Sequence, residues 1–229
     1  LAHMKYRPIY PYVLFDLDGT LTDSAPGIVR SLVYAFEQSG VPVPPESTLY
    51  TWLGPPLEDT LTAHLGSAAA AQQMILRYRE RYIPIGMYEN SVYVGMPELL
   101  ADLHAAGAQI ALATSKPHVY AQPIVTHFGL LPYFTYVGGA TLDGRITTKA
   151  EVIGDVLQQL GNPDPAQCVM IGDRLHDVAG ARHYHLPVIA VRHGYALAGE
   201  LEAAAPNAIV ANAAELRPYL LTPHLESHP

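Results

Sequence analysis

The sequence contains a single cysteine, Cys168, among its 229 residues. One thiol excludes an internal disulfide and favours a reducing compartment. Charged residues make up only 15% of the chain and apolar residues 49%, which argues against a disordered protein and allows a sizeable core. No apolar run approaches the ~18 to 20 residues of a membrane-spanning helix, and the first residues lack the apolar segment of a secretory signal. We therefore predict a globular, cytoplasmic protein with no membrane partner.

Positive charge is also scarce. The chain has 13 lysine and arginine residues against 21 aspartate and glutamate residues, a net charge of −8. This balance disfavours a nucleic-acid polymer as partner, because phosphate backbones are bound by clustered cations. An acidic protein that binds a small anion needs a local cation instead. Both a monomer and a homodimer are compatible with this composition.

Short apolar runs alternate with segments whose apolar residues recur at helical spacing. Strands are predicted at residues 13–15, 109–113, 133–137, 168–171, 188–191 and 208–210. Strands that alternate with helices are typical of a parallel sheet with helices on both faces. We therefore predict an α/β fold with a Rossmann-like three-layer α/β/α core.

One long segment has no strand pattern. Residues 24–85 carry only helical patterns, and they follow the first predicted strand directly. We predict a core formed by residues 4–22 and 92–225, and an all-α cap formed by residues 23–91, which is named the helical insertion below.

Polar side chains follow three of the predicted strands. Asp16 and Asp18 follow the first, Thr114 and Ser115 the second along the chain, and Asp173 with Asp177 the fourth; Lys149 begins a predicted helix. The carboxyl ends of parallel strands lie at one edge of a sheet, so we expect these groups to meet there.

Carboxylates, hydroxyls and one ammonium group suit phosphoryl transfer with Mg²⁺. Asp16 is the expected nucleophile, which would form an aspartyl-phosphate. Asp18 is placed to protonate the leaving oxygen and then to activate water. Taken singly, most of these residues have simpler explanations: a turn at Asp18-Gly19, a helix cap at Thr114-Ser115, and exposed residues at Lys149 and Asp177. Their joint occurrence at strand ends favours the catalytic interpretation.

Four motifs in this order resemble those of the haloacid dehalogenase superfamily. They are DLDGT (residues 16–20), Thr114-Ser115, Lys149 and GDRLHD (residues 172–177). The helical insertion resembles the type 1 cap of that family. The segments GPPLEDT (54–60), ATSKP (113–117) and VRHGY (191–195) are similar to its phosphoglycolate phosphatase-like and 5′-nucleotidase-like branch.

The resemblance implies a Mg²⁺-dependent phosphomonoester hydrolase that acts on a small phosphorylated metabolite, either phosphoglycolate or a nucleoside 5′-monophosphate. It implies that Asp16, Asp18 (through its carbonyl) and Asp173 bind the metal, with Asp177 in support. Thr114, Ser115, Gly19 and Lys149 would bind the phosphoryl group, and Lys149 would also act in catalysis.

Other activities of the family are less compatible with this sequence. Dehalogenases lack the acid that Asp18 provides, and phosphonatases need a lysine in the cap, whereas residues 24–91 contain none. A β-phosphoglucomutase-like phosphotransferase shares every motif and stays open as the alternative. A non-catalytic binding module would be expected to have lost Asp16 or Asp18.

A rigid turn in the helical insertion is the candidate for substrate selection. Gly54, Pro55 and Pro56 form this turn, and we predict that they border the leaving group. The four arginines of the helical insertion are expected to be solvated.

Overall fold

The computed structural model of the protein describes residues 5–224. In chain order its strands are β1 (Lys5–Pro8), β2 (Tyr12–Phe15), β3 (Thr22–Asp23), β4 (Ser91–Val92), β5 (Gln109–Pro117), β6 (Phe134–Ala140), β7 (Cys168–Gly172), β8 (Val188–Val191), β9 (Ala208–Val210) and β10 (Leu221–His224). Its helices are α1 (Ala25–Gln38), α2 (Glu46–Thr51), α3 (Leu57–Leu65), α4 (Ala68–Tyr82), α5 (Met96–Ala105), α6 (His118–His127), α7 (Lys149–Gln159), α8 (Leu175–His183), α9 (Glu200–Ala204) and α10 (Ala213–Leu220).

The central sheet has six parallel strands in the order β6-β5-β2-β7-β8-β9. β2 lies between β5 and β7, so the carboxyl ends of these three strands are neighbours. All six predicted strands are present, and the predicted α/β fold is confirmed. The topology places the residues after β2, β5 and β7 at one edge of the sheet.

The two faces of the sheet are covered by different helices. In β2, Val13 and Phe15 belong to one apolar cluster and Leu14 to the other, as alternating side chains of a strand require. The Leu14 side is packed against α7 and α8 through residues such as Val152 and Val178. The opposite side is packed against helices that include α5 and α10. These layers form the expected α/β/α core.

The first and last residues of the helical insertion lie side by side in a short pair of strands. β3 and β4 pair antiparallel, with Thr22 opposite Val92 and Asp23 opposite Ser91. Between them lie α1 to α4, with α4 packed against α1 and α3. The division of the chain at these residues stays a prediction, and residues 4 and 225 of the predicted core lie outside the described range.

Some local expectations were wrong. β5 runs to Pro117 instead of ending at Ala113, because pairing with β6 resumes after an irregularity between Thr114 and Pro117. The antiparallel pair of β1 and β10 was not predicted. Both strands are short and contain a proline, and each pairs with a segment at the other end of the chain.

None of the helices within residues 5–224 is long and apolar enough to span a membrane.

Candidate active site

Asp16 lies at the end of β2, where it contacts the ammonium group of Lys149. The Nζ atom of Lys149 is 3.0 Å from Oδ1 of Asp16 and 2.8 Å from Oδ1 of Asp177. It also donates to the carbonyl oxygen of Ala113 at 2.9 Å. Oδ1 of Asp16 accepts a further bond from the backbone N–H of Leu17 at 2.8 Å. Lys149 is therefore held at the carboxyl edge by β2, β5 and α8 together.

Lys149 reaches this position because α7 begins at Lys149 itself. Thr148 and Glu151 form a capping box that fixes the first turn of α7. Gly180 of α8 makes room for the lysine stem, since a Cβ atom there would lie 2.8 Å from Cγ of Lys149. The start of the helix thus directs a buried ammonium group at the acids.

Burial and the neighbouring charges act together on the pKa values of Asp16 and Lys149. Burial raises the pKa of Asp16 to about 6, although Lys149 opposes this shift. Burial lowers the pKa of Lys149, but the carboxylates of Asp16 and Asp177 outweigh it and raise the pKa above its usual value. Lys149 is therefore charged at neutral pH, and it can neutralise a phosphoryl oxygen that approaches Asp16.

Asp173 adds a third buried carboxylate. Its Oδ1 accepts from the hydroxyl of Thr20 at 2.9 Å, and its Oδ2 accepts from the backbone N–H of Tyr195 at 2.7 Å. Burial, Asp177 and Asp16 raise its pKa well above the usual value. Asp173 is therefore oriented by two donors while it faces other negative charges.

The three acids have the geometry of a cation site. Asp16, Asp173 and Asp177 each offer a carboxylate oxygen, and these oxygens all lie within 4.8 Å of one another. Three buried carboxylates face one ammonium group, so the cluster carries excess negative charge. Hard oxygen donors of this kind fit a Mg²⁺ ion. The chemistry of the donor set supports the expected ion.

Asp177 is already occupied by protein donors. Its Oδ2 accepts from the backbone N–H groups of Asp173 and Arg174 at 3.0 Å each, while its Oδ1 pairs with Lys149. Its side chain therefore shapes the loop that carries Asp173, which suits the predicted supporting role.

Gly19 allows the backbone to pass close to Asp173. It has a φ of +80°, and a Cβ atom there would lie 2.3 Å from Oδ2 of Asp173. Thr114 of β5 is buried, and its hydroxyl accepts from the backbone N–H of Lys116 at 3.2 Å. Ser115 is half-buried beside it. The sheet thus brings every predicted site residue to the same edge, and their individual roles stay predictions.

Lys116 is a site residue that sequence reasoning missed. Its Nζ atom is 3.0 Å from Oδ2 of Asp18, and its side chain is only 7% exposed. It also donates to the hydroxyl of Tyr82, at the end of α4, at 2.6 Å. The scarcity of lysine was the available signal, because Lys116 and Lys149 are two of only three lysines in the chain.

Arg174 joins the site to the helical insertion. Its Nε donates to Glu200 at 2.7 Å, and a terminal nitrogen donates to the carbonyl oxygen of Leu53. A Cβ atom on Gly54 would lie 3.1 Å from Cγ of Arg174. The Gly54-Pro55-Pro56 turn therefore lies against the residue that follows Asp173, and its contact with the leaving group stays a prediction.

Three arginines of the helical insertion are engaged by its own acids. Arg77 pairs with Glu80 at 2.7 Å, and Arg81 and Arg30 pair with Glu89 at 2.7 and 3.0 Å. These three arginines therefore pair with two acids of the helical insertion itself, in contrast to Lys149, which faces the acids of the core.

The chain resembles known proteins over most of its length. A profile of the family described as haloacid dehalogenase-like hydrolase matches residues 13–191. A 5′-nucleotidase of Pseudomonas aeruginosa is 40% identical over 220 residues, which cover 96% of this chain and 97% of that protein. A phosphoglycolate phosphatase of Cupriavidus necator is 32% identical, covering 92% of this chain and 93% of that protein.

The chain is also similar to a longer protein and to a protein of known structure. The tyrosine-protein kinase PtkA of Mycobacterium tuberculosis is 43% identical over 183 residues; the match covers 80% of this chain but 62% of that longer protein. The crystal structure of a predicted phosphatase from Clostridium acetobutylicum superposes with a TM-score of 0.87 at 40% identity, covering 92% of this chain and 97% of that one. The family match and the shared fold confirm the predicted resemblance, and the chain is a phosphatase that belongs to the haloacid dehalogenase-like hydrolase family.

Proposed function

We propose that the protein is a Mg²⁺-dependent phosphomonoesterase that cleaves a small phosphorylated metabolite through an aspartyl-phosphate at Asp16. Phosphoglycolate and nucleoside 5′-monophosphates are the proposed substrates, since relatives bear the names of both activities. The observation that carries the proposal is the buried cluster in which the ammonium group of Lys149 contacts both Asp16 and Asp177, while Asp173 lies in the same group of carboxylates.

The two oxygens of Asp16 have different environments. Oδ1 accepts from Leu17 and pairs with Lys149, which leaves Oδ2 to attack phosphorus. Lys149 draws the phosphoryl oxygens towards the nucleophile and balances their charge. The side chain of Thr114 and the backbone near Ser115 and Gly19 are proposed to orient the same group.

Asp18 is proposed to move the proton. It donates to the ester oxygen as that oxygen leaves, and it accepts a proton from the water that hydrolyses the intermediate. The proposed ion would be held by Asp16, Asp173 and the carbonyl group of Asp18, with Asp177 in support. A bound Mg²⁺ supplies Lewis-acid stabilisation of the charge on the transferring group.

Phosphate release from a panel of phosphomonoesters tests this proposal. The panel should include phosphoglycolate, nucleoside 5′-monophosphates, sugar phosphates and p-nitrophenyl phosphate, with Mg²⁺ or with excess EDTA. We expect turnover only with the metal and a loss of at least about 10³-fold in Asp16→Asn, because the nucleophile is removed. Full turnover in EDTA or in Asp16→Asn would refute the mechanism.

The same panel separates hydrolysis from transfer. Each reaction is followed both for inorganic phosphate and for phosphorylated sugars. A hydrolase releases one phosphate to water for each ester that it cleaves. Phosphate that reappears on a sugar hydroxyl would favour the phosphotransferase alternative.

Two broader features also belong to the proposal. We place the protein in the cytoplasm because the chain has a single thiol, which is buried. The assembly is proposed to be a monomer or a homodimer, which light scattering of the purified protein would decide.

A further inference from the structure

Lys116 lies between the proposed acid of the core and the last residue of a helix in the helical insertion. Its ammonium group contacts Oδ2 of Asp18 at 3.0 Å and the hydroxyl of Tyr82 at 2.6 Å. It also lies 4.8 Å from the centroid of the Tyr82 ring. One buried cation therefore contacts both the reaction centre and the helical insertion.

The two oxygens of Asp18 are not equivalent. Oδ2 is paired with Lys116, whereas Oδ1 is buried and has no hydrogen-bond partner among residues 5–224. A buried carboxylate oxygen without a donor is costly and calls for an explanation. A leaving oxygen or a water molecule would be the missing partner during the reaction.

The position of Tyr82 is fixed by packing. Its ring is stacked on Tyr78 with centroids 4.9 Å apart, and it meets Tyr120 of α6 edge-on at 5.9 Å. Its side chain is almost fully buried. The phenol hydroxyl can contact Lys116 only while the end of α4 is packed over the core.

We propose that Lys116 is a positioning residue that holds Oδ2 of Asp18, so that Oδ1 is the oxygen that exchanges the proton, and that Tyr82 keeps Lys116 in place only when the helical insertion covers the site. This inference rests on the proposed function and deepens it. The ability of Asp18 to exchange a proton then depends on the helical insertion covering the site. This dependence is useful because the cover must exclude water during the first step.

The two chemical steps define what Asp18 must do. In the first, an oxygen of Asp16 bonds to phosphorus, the ester P–O bond breaks, and the proton on Oδ1 of Asp18 goes to the leaving oxygen. In the second, water bonds to phosphorus, its proton goes to Oδ1, and the bond between phosphorus and Asp16 breaks. A misplaced Oδ1 slows the first step only for leaving groups that need a proton, and it slows the second step for all substrates.

Rapid-mixing kinetics with two substrates test this dependence. One substrate is p-nitrophenyl phosphate, whose leaving group needs little protonation. The other is phosphoglycolate or adenosine 5′-monophosphate, whichever the phosphate-release panel shows to be turned over faster. The variants are Lys116→Met, Lys116→Arg and Tyr82→Phe. Tyr34→Phe is the matched control, because it removes another tyrosine hydroxyl of the helical insertion, whose one hydrogen bond within residues 5–224 is to Glu80.

In Lys116→Met we expect a burst of about one p-nitrophenolate per enzyme, followed by turnover slowed about 10²-fold as the aspartyl-phosphate accumulates. The alkyl phosphate should show no burst and a similar fall in kcat. Lys116→Arg should recover part of the lost turnover. Tyr82→Phe should show the same pattern as Lys116→Met, with turnover slowed about 10-fold. Tyr34→Phe should resemble the wild type. Thermal unfolding of each variant checks that it is folded.

Two results would overturn the inference. One is an equal slowing of the nitrophenolate burst and of turnover in a folded Lys116→Met variant, which indicates general damage. The other is a Tyr82→Phe variant indistinguishable from Tyr34→Phe with the alkyl phosphate. Failure of the proposed function would be recognised separately, since the wild type would then release no phosphate or Asp16→Asn would remain active.

Discussion

Arg174, in the loop that follows β7, donates a hydrogen bond to the backbone carbonyl oxygen of Leu53 in the helical insertion. The same guanidinium group is paired through Nε with Glu200, and both side chains are 6% exposed. Arg174 directly follows Asp173, so one buried side chain connects the proposed metal loop with the Gly54-Pro55-Pro56 turn. The rigid fork of arginine makes both contacts possible at once.

We predict that Arg174→Lys weakens substrate binding more than it slows chemistry. A lysine can keep the pair with Glu200 or reach Leu53, but it cannot do both, so the turn loses one hydrogen bond. The loss of about 1 kcal/mol corresponds to about a fivefold rise in KM with a smaller change in kcat. Steady-state kinetics with the best alkyl phosphate measure this ratio.

Arg182→Lys is the matched control for this change. Arg182 also donates to a backbone carbonyl oxygen, that of Ala205. Its side chain is exposed, and both residues belong to the predicted core and not to the helical insertion. Its replacement should leave KM unchanged. A KM in Arg174→Lys that equals the control value would contradict a role for the turn in binding.

Much of the fold could be predicted because its signals are local. An apolar run that ends in an acid, as at residues 13–16, identifies both a buried strand and its functional end. The pair of β1 and β10 carries no such signal, because each strand has four residues and a partner more than 200 residues away. Pairing of this kind depends on how the whole chain folds.

The candidate site also contains residues with a local sequence signal and residues whose importance depends on long-range contacts. Asp16 and Asp173 could be found because parallel strands bring their carboxyl ends together, and Lys149 because it begins a predicted helix in the motif order of the family. Lys116 and Arg174 could not be assigned, because their importance depends on contacts with Tyr82 and Leu53, and the packing of a helical insertion on a core is not encoded in any short pattern. The residues that join two parts of a protein are the least visible in its sequence.

Gly19→Ala should disable the site through one methyl group. A Cβ atom at residue 19 would lie 2.3 Å from Oδ2 of Asp173, and the φ of +80° adds strain of about 1 to 3 kcal/mol. Gly107→Ala is the control, since Gly107 has a φ of +86° and nothing within 4 Å of a Cβ atom. Both variants should lose stability in thermal unfolding, but only Gly19→Ala should lose phosphatase activity. Full activity in a folded Gly19→Ala variant would show that the close approach to Asp173 is dispensable.

The stability of the metal-free protein should fall as the pH rises from 4 to 7. The pKa of Asp16 is raised from 3.8 to about 6, so the fold favours its protonated form. This contribution is fully present below pH 4 and is lost as the pH rises through 6, with an upper bound of about 3 kcal/mol. The pKa of Asp173 is shifted in the same direction and adds to the effect. A divalent ion competes with these protons, so stabilisation by Mg²⁺ should grow over the same range.

Thermal unfolding at pH 5 and pH 8, with EDTA or with Mg²⁺, measures both effects. The rise in Tm with Mg²⁺ should be larger at pH 8, because protons no longer compete with the ion for the carboxylates. The free energy of stabilisation by the bound ion, RT ln(1 + [L]/Kd), is therefore larger there. Asp173→Asn removes one charge from the cluster, so it should stabilise the metal-free protein at pH 8 and abolish most of the response to Mg²⁺. Asp143→Asn removes an exposed acid that does not belong to the cluster of Asp16, Asp173 and Asp177, and it should leave that response intact. An unchanged Mg²⁺ response in Asp173→Asn would mean that the ion binds elsewhere, and the excess negative charge of the three buried acids would then need another explanation.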